Sequence, residues 1–272
     1  MILSKREPRL PSPTFVKAYL DAFRPKPAPS IDDDAPQGDQ TLKRAFEALE
    51  AQDYAHSLSL FQEALQQGLS TKELEAAALN MHGTYMFVMG EAKRALEDLD
   101  RSIELCPENV QTWVKKASVH VELGDKDAAM ADFDRAVALN ADDADIYYHR
   151  GQVHFILGEF EAAMSDYSKS TSLDDTFIFS QVQHAVASYK LGNIARSTAE
   201  FCRILKKFSD SSESYNYFGE LMLDQQRHED AVANFDKSIA LEQAKPKGKN
   251  VLPMINKALV LFQWKQDLTG AE

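Results

Sequence analysis

The chain has 272 residues, 44% hydrophobic and 26% charged, with a formal net charge of -12 at pH 7. That is an ordinary balance for a globular chain, and the lack of any apolar run of 18 residues argues against a membrane span. The acidity argues against nucleic-acid binding, which needs Lys and Arg to neutralise phosphates, and favours cationic partners through long-range attraction.

The first element is a Pro-rich connecting segment, residues 1–37. It holds seven of the ten prolines: Pro8, Pro11, Pro13, Pro25, Pro27, Pro29 and Pro36. The alternating prolines after Arg24 predict an extended strap, and Asp32-Asp33-Asp34 predicts a solvated loop. Between the proline clusters, Phe15, Val16, Tyr19, Leu20 and Phe23 share one helical face, and Ser12-Pro13 fits an N-cap and first position. A short amphipathic helix that docks on the rest of the chain is expected; a membrane-surface helix is the alternative. Residues 1–26 carry a balance of +4, from Lys5, Arg6, Arg9, Lys17, Arg24 and Lys26 against Glu7 and Asp21, whereas residues 38–272 carry -13.

From Gly38 the chain becomes periodic. Five segments recur at a spacing of 34 residues, starting at Ala76, Val110, Ala144, Ile178 and Ser212. Their eighth position reads Gly83, Ala117, Gly151, Ala185, Gly219, and their twentieth Ala95, Ala129, Ala163, Ser197, Ala231. The twenty-fourth reads Leu99, Phe133, Tyr167, Phe201, Phe235, and the twenty-seventh Ser102, Ala136, Ser170, Ile204, Ser238. Small residues let paired helices approach, the large residue at 24 fills the space between hairpins, and Gly90, Gly124, Gly158 and Gly192 at position 15 stop the first helix. This pattern resembles the tetratricopeptide repeat. It predicts an all-α chain, a right-handed superhelix of helical hairpins.

The expected array runs over residues 38–272, with units near 38–71 (degraded), 76–109, 110–143, 144–177, 178–211 and 212–245, and a truncated one at 251–272. Four extra residues, Lys72 to Glu75, precede the first unit in register. The truncated edge is expected to expose apolar surface and to invite self-association.

Catalytic and metal chemistry find no pattern here. No P-loop or dinucleotide glycine motif, H-E-x-x-H, C-x-x-C or G-x-S-x-G occurs. His149 and His154 are five apart and so leave a shared helix face, while His120 and His154 both hold position 11, a core-facing slot, so packed histidines are expected rather than ligands. Asp142-Asp143-Ala144-Asp145 lacks the glycine and downstream Glu of a calcium loop and reads as helix capping. Cys106 and Cys202 lie almost three repeats apart, too far to bridge, and fit a reducing compartment. No enzyme, cofactor or metal site is expected.

Four strings go beyond the general repeat: Lys5-Arg-Glu-Pro-Arg-Leu-Pro-Ser, Phe23-Arg-Pro-Lys-Pro, Ile146-Tyr-Tyr-His-Arg-Gly-Gln-Val-His-Phe-Ile-Leu, and Phe262-Gln-Trp-Lys-Gln-Asp-Leu. With them the chain resembles the seventy-kilodalton import receptors of the mitochondrial outer-membrane translocase. The resemblance covers the segment joining that family's two domains and most of its C-terminal array, so an excised fragment is expected. It implies a non-enzymatic receptor at the cytosolic face of the mitochondrial outer membrane. Its partners would be precursors with internal targeting signals, such as inner-membrane carriers, and other translocase subunits; the fragment itself would be soluble and without a span.

The family's chaperone-tail clamp uses Lys, Asn and Arg at positions 2 and 6 of successive first helices. Here position 2 reads Asp39, Ala77, Gln111, Asp145, Phe179, Glu213 and position 6 reads Lys43, Met81, Lys115, His149, Gln183, Tyr217. No three successive units supply the set that grips two carboxylates, so the clamp is expected to be absent. A co-chaperone-type adaptor holding another protein's tail is the runner-up reading, and the targeting array of an enzyme is a third.

In such arrays positions 2, 5, 9 and 12 of the first helices line the concave groove. The expected precursor-binding residues are Tyr148, Gln152, Phe155, Phe179, Val182, Val186, Glu213, Asn216, Glu220, Ile255, Leu259 and Phe262. Apolar patches bordered by carboxylates suit an amphipathic helix or apolar segment carrying Lys or Arg.

Overall fold

The computed structural model describes residues 28–246 and 249–265, with backbone alone at residue 265. The amphipathic helix expected over Phe15–Phe23 and the end of the last unit lie outside the described residues. Among these, thirteen helices follow one another with no strand. They are α1 (Gln37–Glu50), α2 (Tyr54–Gln67), α3 (Lys72–Val88), α4 (Ala92–Leu105), α5 (Val110–Glu122), α6 (Lys126–Leu139) and α7 (Ala144–Ile156), then α8 (Phe160–Leu173), α9 (Ile178–Lys190), α10 (Ile194–Lys207), α11 (Ser212–Asp224), α12 (His228–Ala244) and α13 (Leu252–Lys265). The all-α solenoid of hairpins expected from the 34-residue period is what the chain forms. Four first helices, α5, α7, α9 and α11, begin at the residues that open the sequence repeats.

The helix ends follow from local chemistry. Thr71 accepts a hydrogen bond from the Leu74 amide, and α3 therefore starts at Lys72. The four residues counted as extra from sequence are its first turn. At position 15, Gly90, Gly124, Gly158 and Gly192 take φ between 77° and 81°, the left-handed conformation that closes a helix. Gln52 and Gln226 hold the same position at φ 61°. Around Gln226 the closing bonds match those at Gly90: Arg227 N donates to Met222 O at 2.9 Å, as Glu91 N donates to Met86 O at 2.8 Å. The turn geometry is thus kept where the glycine is missing, at the strain of an L-residue in that region.

The chain divides inside α7 into two compact units, residues 1–149 and 150–272. The core of the first is built on Leu42, Phe61, Tyr85, Met86 and Leu99. That of the second is built on Val182, Phe201, Leu221, Met222, Phe235 and Val260. Position 24 is fully buried in every repeat, by Leu99, Phe133, Tyr167, Phe201 and Phe235. At position 8 the backbone comes so close to this ring that a Cβ on Gly151 or Gly219 would stand 2.7 Å from Tyr167 or Phe235. The small serines do more than save space. Ser57 and Ser197, at position 20, donate to the carbonyls of Ala45 and Ala185, at position 8, at 2.9 and 2.7 Å. Ser102 and Ser238 donate to Ala76 O and Ser212 O at 2.8 and 2.7 Å. Each satisfies a buried hydroxyl while tying neighbouring helices together.

Candidate binding face

A charge pair recurs between the helices of successive hairpins. Position 7 carries the cation or histidine and position 23 the carboxylate. His82 Nδ1 lies 2.7 Å from Asp98, Lys116 3.9 Å from Asp132, Arg150 2.7 Å from Asp166, and His184 Nδ1 3.0 Å from Glu200. His120 and His154 join this row from position 11, at 2.8 Å from Asp132 and 3.7 Å from Asp166, and His154 also meets Glu159 at 2.7 Å. They are half-buried rather than packed in the core as expected, because a facing carboxylate draws the imidazole to the seam between helices. In the α11–α12 hairpin the row ends: Phe218 takes position 7 and stacks on Phe201 at a centroid distance of 5.3 Å. Among the described residues no group of three or more His, Cys, Asp and Glu could hold a metal ion.

In the second unit the first helices α9, α11 and α13 carry most of the expected binding residues. Phe179 and Val186 on α9 are half-buried, as are Glu213 and Glu220 on α11. On α13, Ile255, Leu259 and Phe262 are 52%, 49% and 51% exposed, an apolar row at i, i+4 and i+7. Gln152 and Phe155 are half-buried on α7, where the Phe155 ring meets Phe160 edge-on at 5.2 Å.

Three expected groove residues lie in the interior instead. Val182 is 1% exposed, Asn216 4%, and Tyr148, in the first unit, 7%. All three hold position 5, which packs inward. Val182 sits in the hydrophobic cluster with Phe201 and Leu221. Asn216 meets Asn256 of the next first helix, whose Nδ2 donates to Asn216 Oδ1 at 3.0 Å. They support the face and cannot line it. Ile255 holds the same position on α13 and is exposed among the described residues.

The electrostatics of the face centre on α11. Glu213 is 3.3 Å from Lys245, which also pairs with Glu242 at 2.6 Å. Burial raises the proton affinity of Glu242, but the Asn250 backbone amide, Lys245 and Ser212 outweigh it and hold its carboxyl below the ordinary range. Glu220 differs. Its Oε1 accepts from Asn216 Nδ2 at 2.7 Å and from Asn256 Nδ2 at 2.8 Å. Burial pushes its pKa up, with the charge of Asp224 adding to the shift against the two amides. Tyr217, one turn before, donates nothing to Glu220 and accepts from Gln183 Nε2 at 3.4 Å; burial and then Glu220 raise its pKa. Asn256 is the residue that reading positions 2, 5, 9 and 12 passed over. It stands at position 6, whose role in joining successive first helices could have been followed one unit further.

The two Lys residues at position 6 are engaged within the first unit. Lys115 is buried and donates to Asn80 Oδ1 at 2.6 Å. Lys43 pairs with Asp33 at 2.6 Å.

Comparison with known proteins fits this architecture. The tetratricopeptide-repeat family model matches residues 114–174. The mitochondrial import receptor subunit TOM70 of Mus musculus is 28% identical over 97% of this chain and 46% of its own length. That of Homo sapiens is 27% identical over the same shares. The chain therefore spans about half the length of the curated relatives it matches. Among solved structures, yeast Tom70 superposes with a TM-score of 0.82 at 26% identity, covering 93% of this chain and 55% of that one. A tetratricopeptide repeat protein from Parabacteroides merdae, at 16% identity and a TM-score of 0.63, shares the fold. The chain forms a solenoid of tetratricopeptide-type hairpins and is similar along nearly its whole length to the TOM70 class of mitochondrial import receptor.

Proposed function

We propose that this chain is a non-enzymatic receptor that binds mitochondrial precursor proteins with internal targeting signals, inner-membrane carriers among them, on the α9–α11–α13 face. It would work at the cytosolic side of the outer membrane beside other translocase subunits. The observation that carries the reading is the exposed row Ile255, Leu259 and Phe262 on α13, the helix whose Asn256 bonds the carboxylate of Glu220 on α11. An apolar segment with Lys or Arg meets both demands, through burial of its apolar side and attraction of its charges. The similarity to proteins named as import receptors supports a mitochondrial precursor as the source of that segment. The engagement of Lys43 and Lys115 within the first unit weighs against a chaperone-tail clamp there. Among the described residues no helix is long and apolar enough to cross a membrane.

Peptide-array binding to a carrier precursor tests the reading. Glu213→Lys places a cation beside Lys245 and is expected to weaken a cationic precursor segment by about 1 kcal/mol or more. An unchanged titration would remove Glu213 from the site. Sedimentation of the chain with and without saturating peptide separates this occupant from a second copy: an oligomer that peptide does not dissociate would assign the apolar row to self-association.

A further inference from the structure

The carboxylates on and beside α11 are not equivalent. Glu200, Glu213 and Glu242 each lie within 4.0 Å of a Lys, Arg or His. Glu220 has no such partner among the described residues, and its Oε2 is unused. Its Oε1 is gripped by two amides from two helices, Asn216 on α11 and Asn256 on α13. This grip fixes the side chain so that its free oxygen keeps one orientation, which removes much of the rotamer entropy that an ion pair normally loses on forming. Among the described residues the surroundings add no compensating charge. Asp224 follows one turn along α11; Tyr217 and Tyr189 are neutral; Lys245 is committed to Glu242 and Glu213; Lys257 of α13 pairs with Asp236 at 2.6 Å. The apolar row of α13 begins next to this point, with Ile255 adjoining Asn256.

We infer that Glu220, held by Asn216 and Asn256 at the seam of α11 and α13, is the seat for one lysine or arginine side chain of the segment bound on this face. The inference rests on the precursor-binding reading and names which residue reads the ligand's charge. A cation delivered there meets a half-buried, preorganised carboxylate with an open oxygen, whereas at Glu213 it competes with Lys245. Proton and ligand also compete for Glu220. Its pKa lies above the ordinary 4.5 because burial disfavours the charged form. The protonated acid attracts no cation, so affinity is lowest near and below that ordinary value and rises as pH climbs through the folded pKa.

The test uses anisotropy titrations of the chain with an apolar helical peptide carrying one lysine and with its norleucine counterpart. At pH 7 the unsubstituted chain is expected to prefer the lysine peptide by about tenfold, in line with a partly buried charge pair. Glu220→Gln keeps both amide contacts available and is expected to bind the two peptides alike, with no dependence on pH between 4.5 and 7. Glu213→Gln is expected to retain most of the preference. Thermal unfolding at pH 7 confirms that both variants fold. If Glu220→Gln keeps the lysine preference, the seat is elsewhere while the precursor-binding reading stands. If the unsubstituted chain binds neither peptide, that reading fails and the seat with it.

Discussion

The two units use the same hairpin and differ in how much of its first-helix surface is left open. In the first unit polar residues on successive first helices are spent on one another. Asn80 donates to Thr112 at 2.8 Å and accepts from Lys115, and Gln111 donates to Asp145 at 3.1 Å, all within the buried seam. In the second unit similar bonds join successive first helices, Asn256 to Asn216 at 3.0 Å and Gln183 to Tyr217 at 3.4 Å, but Phe179, Val186, Glu220 and the α13 row stay at least partly exposed. A repeat fixes where side chains project, and the identity at each projection decides whether a seam is sealed or left open for a partner.

The sharpest break of this comparison removes a core ring from each unit in turn. Phe235→Ala is expected to destabilise by about 3–5 kcal/mol in urea titrations, since the ring is fully buried and helix α11 packs on it through Gly219. Phe133→Ala is expected to destabilise comparably. Loss of peptide binding with Phe235→Ala but not with Phe133→Ala would locate the face in the second unit, and equal losses would contradict that placement.

A smaller effect comes from the sealed seam. Lys115→Met leaves the buried Asn80 oxygen without its donor and is expected to cost about 1–3 kcal/mol of stability. The same variant should leave precursor-peptide affinity unchanged, in contrast to Glu213→Lys. A drop in affinity as large as that of Glu213→Lys would show that the first unit contributes to binding.

The raised pKa of Glu220 makes a third distinction. A carboxyl whose folded pKa exceeds its unfolded value adds stability below the unfolded value and loses it as pH rises through the folded one. Glu220→Gln is therefore expected to unfold at a slightly higher temperature than the parent at pH 7, with the gap closing as pH falls toward 4.5. A parent that gains nothing relative to the variant on acidification would put Glu220 in an ordinary solvated setting.

The smallest effect tests the turn. Gln226→Gly relieves an L-residue at φ 61° and is expected to stabilise the second unit by up to about 1 kcal/mol, while Gly192→Gln should do the reverse. Calorimetric melting of the two variants reads both signs. If neither variant shifts the melt, the left-handed position carries no appreciable strain.

Much of this molecule could be read before its coordinates. Hairpins, their 34-residue register, the buried ring at position 24 and the glycine stops are local or periodic properties, carried by residue size and backbone freedom at fixed intervals. Tyr148, Val182 and Asn216 were misplaced because position 5 points to the boundary between groove and seam, and only the packing of the following helix decides which side it joins. The histidines were taken for core because their carboxylate partners stand on another helix.

By itself, then, the sequence determined the architecture, since a repeat's steric pattern is complete within each 34-residue unit. Which of Glu213 and Glu220 keeps a free oxygen was decided by tertiary structure alone. Glu213 and Glu220 look alike along the chain, but Lys245 folds back onto the first, and among the described residues the second receives only the neutral amides of Asn216 and Asn256. Charge neutralisation acts through space, over a few ångströms, between residues that sequence separation leaves far apart.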